Sequence, residues 1–157
     1  IPGILRTRVL KTGRADRGPP LQIERIDFTA GSPALEEAKR AILDLQSFFP
    51  EDRRWDGEAF GPVFEPSFGA SVFTAKAGGR IVGYIVGAPV ESVDALYGGM
   101  FAAHDDDIGK GNTYYSISLA VRPEFRGQGI ASRLKDAQLD YAAERGFRYV
   151  TSHIDPK

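Results

Sequence analysis

The chain has 157 residues, 42% of them hydrophobic and 26% charged, with a net charge of −1, which reads as one ordinary globular domain with no room for a second core. That balance gives no global pull toward nucleic acid, membrane or an acidic partner, and no apolar run has the length of a membrane span or the layout of a signal peptide, so a cytoplasmic location is expected. The absence of cysteine excludes disulfides, thiolate ligands and a cysteine nucleophile; with His104 and His153 as the only histidines, a multi-histidine site is out of reach and no metal is expected.

Residues 1–20 form a basic N-terminal extension carrying Arg6, Arg8, Lys11, Arg14 and Arg17 against Asp16. It reads as an arm for an acidic partner, or as a flexible extension or one added strand through Leu5, Thr7 and Val9. The spaced charges fall short of a basic block, which favours the second reading. The start at Ile1 rather than methionine implies residues upstream that were cleaved or left out. Residues 21–157 then carry the domain proper. Leu21 to Phe28 alternates as a first strand. Ser32-Pro33 opens a helix, Ser32 as N-cap and Pro33 in the first turn, with Leu35, Ala38, Ile42, Leu45 and Phe49 as its apolar stripe and Pro50 as its stop.

Glu51 to Phe68 is rich in aromatics (Trp55, Phe60, Phe64 and Phe68) but broken by Gly57, Gly61, Pro62 and Pro66. It serves as a loop and short helix capping the core, or as an aromatic wall for a substrate; the two are compatible. Ser71 to Ala77 and Arg80 to Gly87 flank Gly78-Gly79, the pair a two-residue hairpin turn prefers. Residues 91–112 are polar and glycine-bearing, long enough for an insertion over the sheet. The Asp105-Asp106-Asp107 run reads more readily as solvated than as a cation site. Thr113 to Val121 is a strand, with Tyr115, Ile117, Leu119 and Val121 expected on one face and Tyr114, Ser116, Ser118 and Ala120 on the other. Gly129 to Arg145 is a helix closed by Gly146, and Phe147 to Ile154 a final strand.

The chemistry concentrates between Ser116 and Ser132, where Arg126-Gly127-Gln128-Gly129-Ile130-Ala131 leads from strand to helix. A glycine-rich loop entering a helix aims unpaired N–H groups and the positive end of the dipole at one point, a site for phosphate oxygens. Gly127 and Gly129 admit close approach of an anion, and Arg126 adds charge. The P-loop pattern needs a lysine followed by serine or threonine, which is lacking. The dinucleotide fingerprint needs glycine where Ser132 stands and glycines directly after the strand, whereas five residues separate Val121 from Gly127.

Val121-Arg122-Pro123 followed by Arg126-x-x-Gly129-x-Ala131 resembles the acetyl-CoA signature of the GCN5-related N-acetyltransferase superfamily: glutamine or arginine, two residues, glycine, one residue, glycine or alanine. The order of elements upstream is also similar, over roughly residues 21–154. The resemblance implies an α/β fold with a mixed, mainly antiparallel sheet flanked by helices and splayed beside the loop. It implies acetyl-CoA as co-substrate, its pyrophosphate held by Arg126, Gly127, Gln128, Gly129, Ile130 and Ala131, with Ser132 close by. The pantetheine arm would pair with Leu119, Ala120 and Val121. The acceptor would be a small-molecule or peptide amine that attacks acetyl-CoA directly. A non-catalytic acyl-CoA-binding or regulatory module is the alternative.

Two departures accompany the resemblance. The family's last helix and strands, with the tyrosine that often protonates the thiolate, would lie beyond Lys157. One side of the last strand is therefore expected to lie uncovered, inviting a homo-oligomer, aggregation or completion by further residues. The base does not transfer by motif either. An amine must lose a proton before it attacks; His153 is the titratable candidate and Ser118 and Ser116 could hold a water, with His153 reading more readily as structural.

Overall fold

The computed structural model describes residues 4–9, 21–28, 31–55, 60–99, 102 and 106–153. Strands β1 (Ile4–Arg8), β2 (Gln22–Arg25), β3 (Ser71–Ala77), β4 (Arg80–Pro89), β5 (Thr113–Val121) and β6 (Tyr149–His153) form one six-stranded sheet in the order β1-β6-β5-β4-β3-β2. Every pairing is antiparallel except that of β5 with β6, which is parallel. Helices α1 (Pro33–Leu45) and α2 (Val90–Leu96) pack on one face, and α3 (Ile130–Glu144) on the other. The mixed, mainly antiparallel sheet flanked by helices is the fold class the resemblance implies.

Local sequence accounts for much of this. Ser32 Oγ accepts from Leu35 N at 3.1 Å, capping α1, and Leu35, Ala38, Ile42 and Leu45 are buried along its stripe. Truncating a fully buried residue such as Leu45 would cost about 2–5 kcal/mol. The helix ends at Leu45 and tightens into a 3-10 turn, Gln46–Phe48, instead of running to Phe49. At that junction the buried side chain of Gln46 donates to the Tyr84 hydroxyl at 2.6 Å and accepts from Trp55 N at 3.1 Å. Gly78 and Gly79, both at positive φ, close the β3–β4 hairpin. The opening strand is shorter than expected: the ladder stops at Arg25, and Ile26 tucks into the α1-side core while its N–H reaches Val72 O at 2.9 Å.

The interval after β4 contains a helix that the polar composition hid. Pro89 stands at the N-cap of α2, and Val90 and Val93 face inward. The expected aromatic cap is present: Phe60, Phe64 and Phe68 are buried, with Trp55 to Phe60 and Phe60 to Phe64 centroids 4.0 and 4.9 Å apart.

Two expectations are corrected. The first is the bare strand edge. β1 covers β6 along its whole length, Arg8 opposite Tyr149 and Ile4 opposite His153. Arg6 fastens the pairing, 2.7 Å from the Asp107 carboxylate and 4.9 Å over the Tyr149 ring. The second is the alternation along β5. Ser116 opposes Gly87 and Ser118 opposes Val86, so Ile117 is an extra residue in a β-bulge. Tyr115 and Ile117 face α1, but past the bulge Leu119 and Val121 face α3, while Ala120 turns to the α1 side.

Candidate active site

The loop before α3 is held by its own backbone and by α1. Pro123–Phe125 makes one 3-10 turn, in which Phe125 N reaches Arg122 O at 2.9 Å and Arg126 N reaches Pro123 O at 3.2 Å. Arg122 pairs with Asp44 of α1 at 2.6 Å, and its N–H bonds Val82 O at 2.8 Å. The five residues between Val121 and Gly127 are thus a built turn that sets the glycines at the mouth of the helix.

Gly127 and Gly129 adopt φ of +79° and +80°, and a side chain at either would meet nothing within 4 Å. Those conformations favour glycine, and the space above them is open. Gly129 is the N-cap of α3; it offers no side-chain cap, and the first turn holds no acid. By contrast α1 has the Ser32 cap and Glu36 in its first turn. The N-terminal amides of α3 are left facing a cavity of about 280 Å³ bounded by Val121, Phe125, Arg126, Gly127 and Gly129 through Ser132. Such a cradle of amides, glycines and one guanidinium fits a pyrophosphate. Gln128 is exposed and does not border the cavity, and the Ile130 side chain turns into the core, leaving its backbone to the loop.

Beside the loop the sheet opens. β6 pairs with β5 only from Thr113 to Ser116, so the β5 edge from Ile117 to Val121, which contains Leu119 and Ala120, has no strand beside it among the described residues. The bulge turns Ser118 onto the α1 face, where its Oγ lies 2.8 Å from the Tyr84 hydroxyl. Burial pushes the Tyr84 phenol up to about 12, against the opposing hydrogen bonds of Ser118 and Gln46. Tyr84 therefore stays protonated at neutral pH and acts as a prop for Ser118. Sequence reasoning missed Tyr84 and Gln46. The legible signal was Gln46 itself, a polar side chain four residues after Ile42 on the α1 stripe.

His153 ends β6 and lies opposite Ile4 in the backbone register; its side chain, like all of His104 and Asp105, falls outside the described residues. Asp107 is engaged by Arg6 and, at 3.7 Å, by Lys110. Among the described residues no cluster of His, Asp or Glu could hold a metal, and no helix is long and apolar enough to cross a membrane. A second cavity, about 200 Å³, abuts Ile117 and is walled by Trp55, Phe68, Val93 and Tyr97.

The model of the acetyltransferase (GNAT) family matches residues 36–157. Among solved structures, an aminoglycoside N-acetyltransferase bound to a CoA–acetylneamine bisubstrate analogue superposes with a TM-score of 0.61 at 16% identity, over 88% of this chain and 82% of that one. An aminoglycoside acetyltransferase from an uncultured soil metagenomic sample, in complex with sisomicin, gives 0.56 at 21% identity, over 86% and 78%. A ribosomal-protein-alanine N-acetyltransferase from Brucella melitensis biovar Abortus 2308 gives 0.55 at 18%, over 85% and 80%. No curated protein matches the sequence.

Proposed function

The chain belongs to the acetyltransferase (GNAT) family, and from that premise we propose that it is an acetyl-CoA-dependent N-acetyltransferase moving an acetyl group to a primary amine by direct attack. The observation that supports this best is the uncapped, acid-free N-terminus of α3 behind two open glycines, set beside a strand edge that β6 leaves bare. In this reading Arg126 to Ala131 bind the pyrophosphate through backbone amides, with Ser132 close by. The arm of the ligand pairs along Leu119, Ala120 and Val121 as an added strand would. Residues 21–157 are the catalytic domain, and β1 adds a strand to its sheet.

Bound there, acetyl-CoA supplies the activated acetyl group. The C–N bond forms as the C–S bond breaks, the amine proton leaves to solvent, and the thiolate takes up a proton. Ser118, propped by Tyr84, is the hydroxyl that orients the incoming amine or a water beside it. With no cysteine in the chain, no cysteinyl acyl-enzyme intervenes.

The test is calorimetric binding of acetyl-CoA followed by release of free CoA with a panel of primary amines. Binding with amine-dependent release is expected. Binding without release from any amine would assign the chain as an acyl-CoA sensor, and absence of binding would remove the reading altogether.

A further inference from the structure

The cavity of about 200 Å³ on the α1 face differs in kind from the cofactor cradle. Its described wall consists of aromatic and aliphatic side chains, Trp55, Val63, Phe68, Val93, Leu96 and Ile117 among them, and no charged residue. The rim is apolar as well: Leu96 is 44% and Tyr97 50% exposed. Exposed apolar side chains gathered at the mouth of a cavity mark a binding surface. The acids of α2 do not line the cavity: Asp94 accepts from Ala102 N at 3.1 Å and Glu91 from Gly109 N at 2.9 Å. Ile117, the bulged residue directly before Ser118 and the bare edge of β5, also lines the cavity.

Resting on the acetyltransferase reading, we propose that this cavity seats the body of the acceptor, and that the acceptor is a compact arylalkylamine, one aromatic ring joined to a primary amine by a short chain. Size supports one ring, because a dry apolar cavity of about 150 Å³ already holds benzene. Chemistry argues against polycations. An aminoglycoside or polyamine would press several ammonium groups or hydroxyls against a described wall whose only side-chain polar groups are the Trp55 indole N–H and the Tyr97 phenol, too few to repay their desolvation. The same walls favour the neutral form of the one amine on the Ile117 side of the cavity, since low polarity disfavours a charged ammonium. The acceptor then arrives deprotonated more readily, which relaxes the need for a fixed base.

The single tryptophan of the chain, Trp55, lines the cavity, so occupancy is readable without turnover. Titrating 2-phenylethylamine should change the tryptophan emission saturably. Its kcat/KM should exceed those of ethylamine and spermidine by about 10–100-fold, the discrimination an apolar pocket supplies. Leu96→Asp, at the exposed rim, should raise both the emission midpoint and KM for 2-phenylethylamine about tenfold. A higher kcat/KM for spermidine, an emission that does not saturate, or saturable binding without acetylation would overturn the assignment. Calorimetry with acetyl-CoA on the same preparation separates this from failure of the parent reading: lost cofactor binding sinks the acetyltransferase, whereas retained binding with spermidine preferred sinks the aryl acceptor alone.

Discussion

The Ser118 hydroxyl lies 2.8 Å from that of Tyr84, and it reaches that partner because the bulge at Ile117 reverses the facing of the rest of β5. Strict alternation would have turned Ser118 toward α3, away from the aromatic cavity. Gln46 completes the chain by donating to Tyr84 at 2.6 Å. Ser118→Ala should lower kcat by up to about tenfold, the worth of one neutral hydrogen bond, with acetyl-CoA affinity held. Steady-state kinetics beside calorimetry checks this; an unchanged kcat would reduce Ser118 to a packing role.

Tyr84 gives the fold a weakness to alkali. Its phenol is pushed from 10.0 to about 12 by burial, and burial pushes Tyr114 and Tyr115 up as well. The unfolded chain loses these protons first, so stability is full below pH 10 or so and falls as pH rises toward the folded values. Tyr84 alone accounts for roughly 2–3 kcal/mol over that window. Urea unfolding at pH 8 and pH 11.5 measures it. Tyr84→Phe should be less stable at pH 8 by about 1–3 kcal/mol, because Gln46 and Ser118 lose a partner, but should show a shallower alkaline decline.

Gly127 and Gly129 separate backbone strain from ligand repulsion. Neither position is crowded, so Gly127→Ala should cost only the left-handed conformation, about 1–2 kcal/mol of stability. Gly129→Asp carries the same strain and adds a carboxylate facing the cradle. It should weaken acetyl-CoA by at least about tenfold, the loss of one charge-assisted contact, in a chain that still folds. Equal affinities for the two variants and the wild type would place the cofactor elsewhere.

β1 is held to the sheet partly by charge. Desolvation pulls the Asp107 carboxyl up, but hydrogen bonds from Asn112 and Arg6, with the charges of Arg6 and Lys110, outweigh it and hold the carboxyl below its usual range. A depressed carboxyl stabilises the fold above the ordinary value of about 3.9 and loses that contribution as pH falls through its folded value. NMR titration should therefore find Asp107 low in the wild type and closer to ordinary in Arg6→Ala. Removing residues 1–9 should bare the outer edge of β6 and drive self-association in sedimentation. A monomeric truncation would show that the edge needs no cover.

The sequence by itself determined what depends on neighbours along the chain. Ser32-Pro33 and the stripe through Ile42 announced α1, Gly78-Gly79 announced the hairpin, and Arg126 to Ala131 between a strand and a helix announced the family. Capping, turn chemistry and periodicity act within a few residues, so they are written in order. Tertiary structure decided which groups meet. Gln46 and Tyr84 are 38 positions apart, Tyr84 and Ser118 are 34, and Arg6 and Asp107 are 101. One bulged residue, with no local signature in Tyr115-Ser116-Ile117-Ser118, selects the face on which Ser118 stands. A strand's facing is set by its register against its neighbour, and slipping by one residue exchanges its two faces. The cover over β6 has the same origin: Ile4–Arg8 carries a strand's pattern anywhere in the chain, and only the sheet determined which edge it would close.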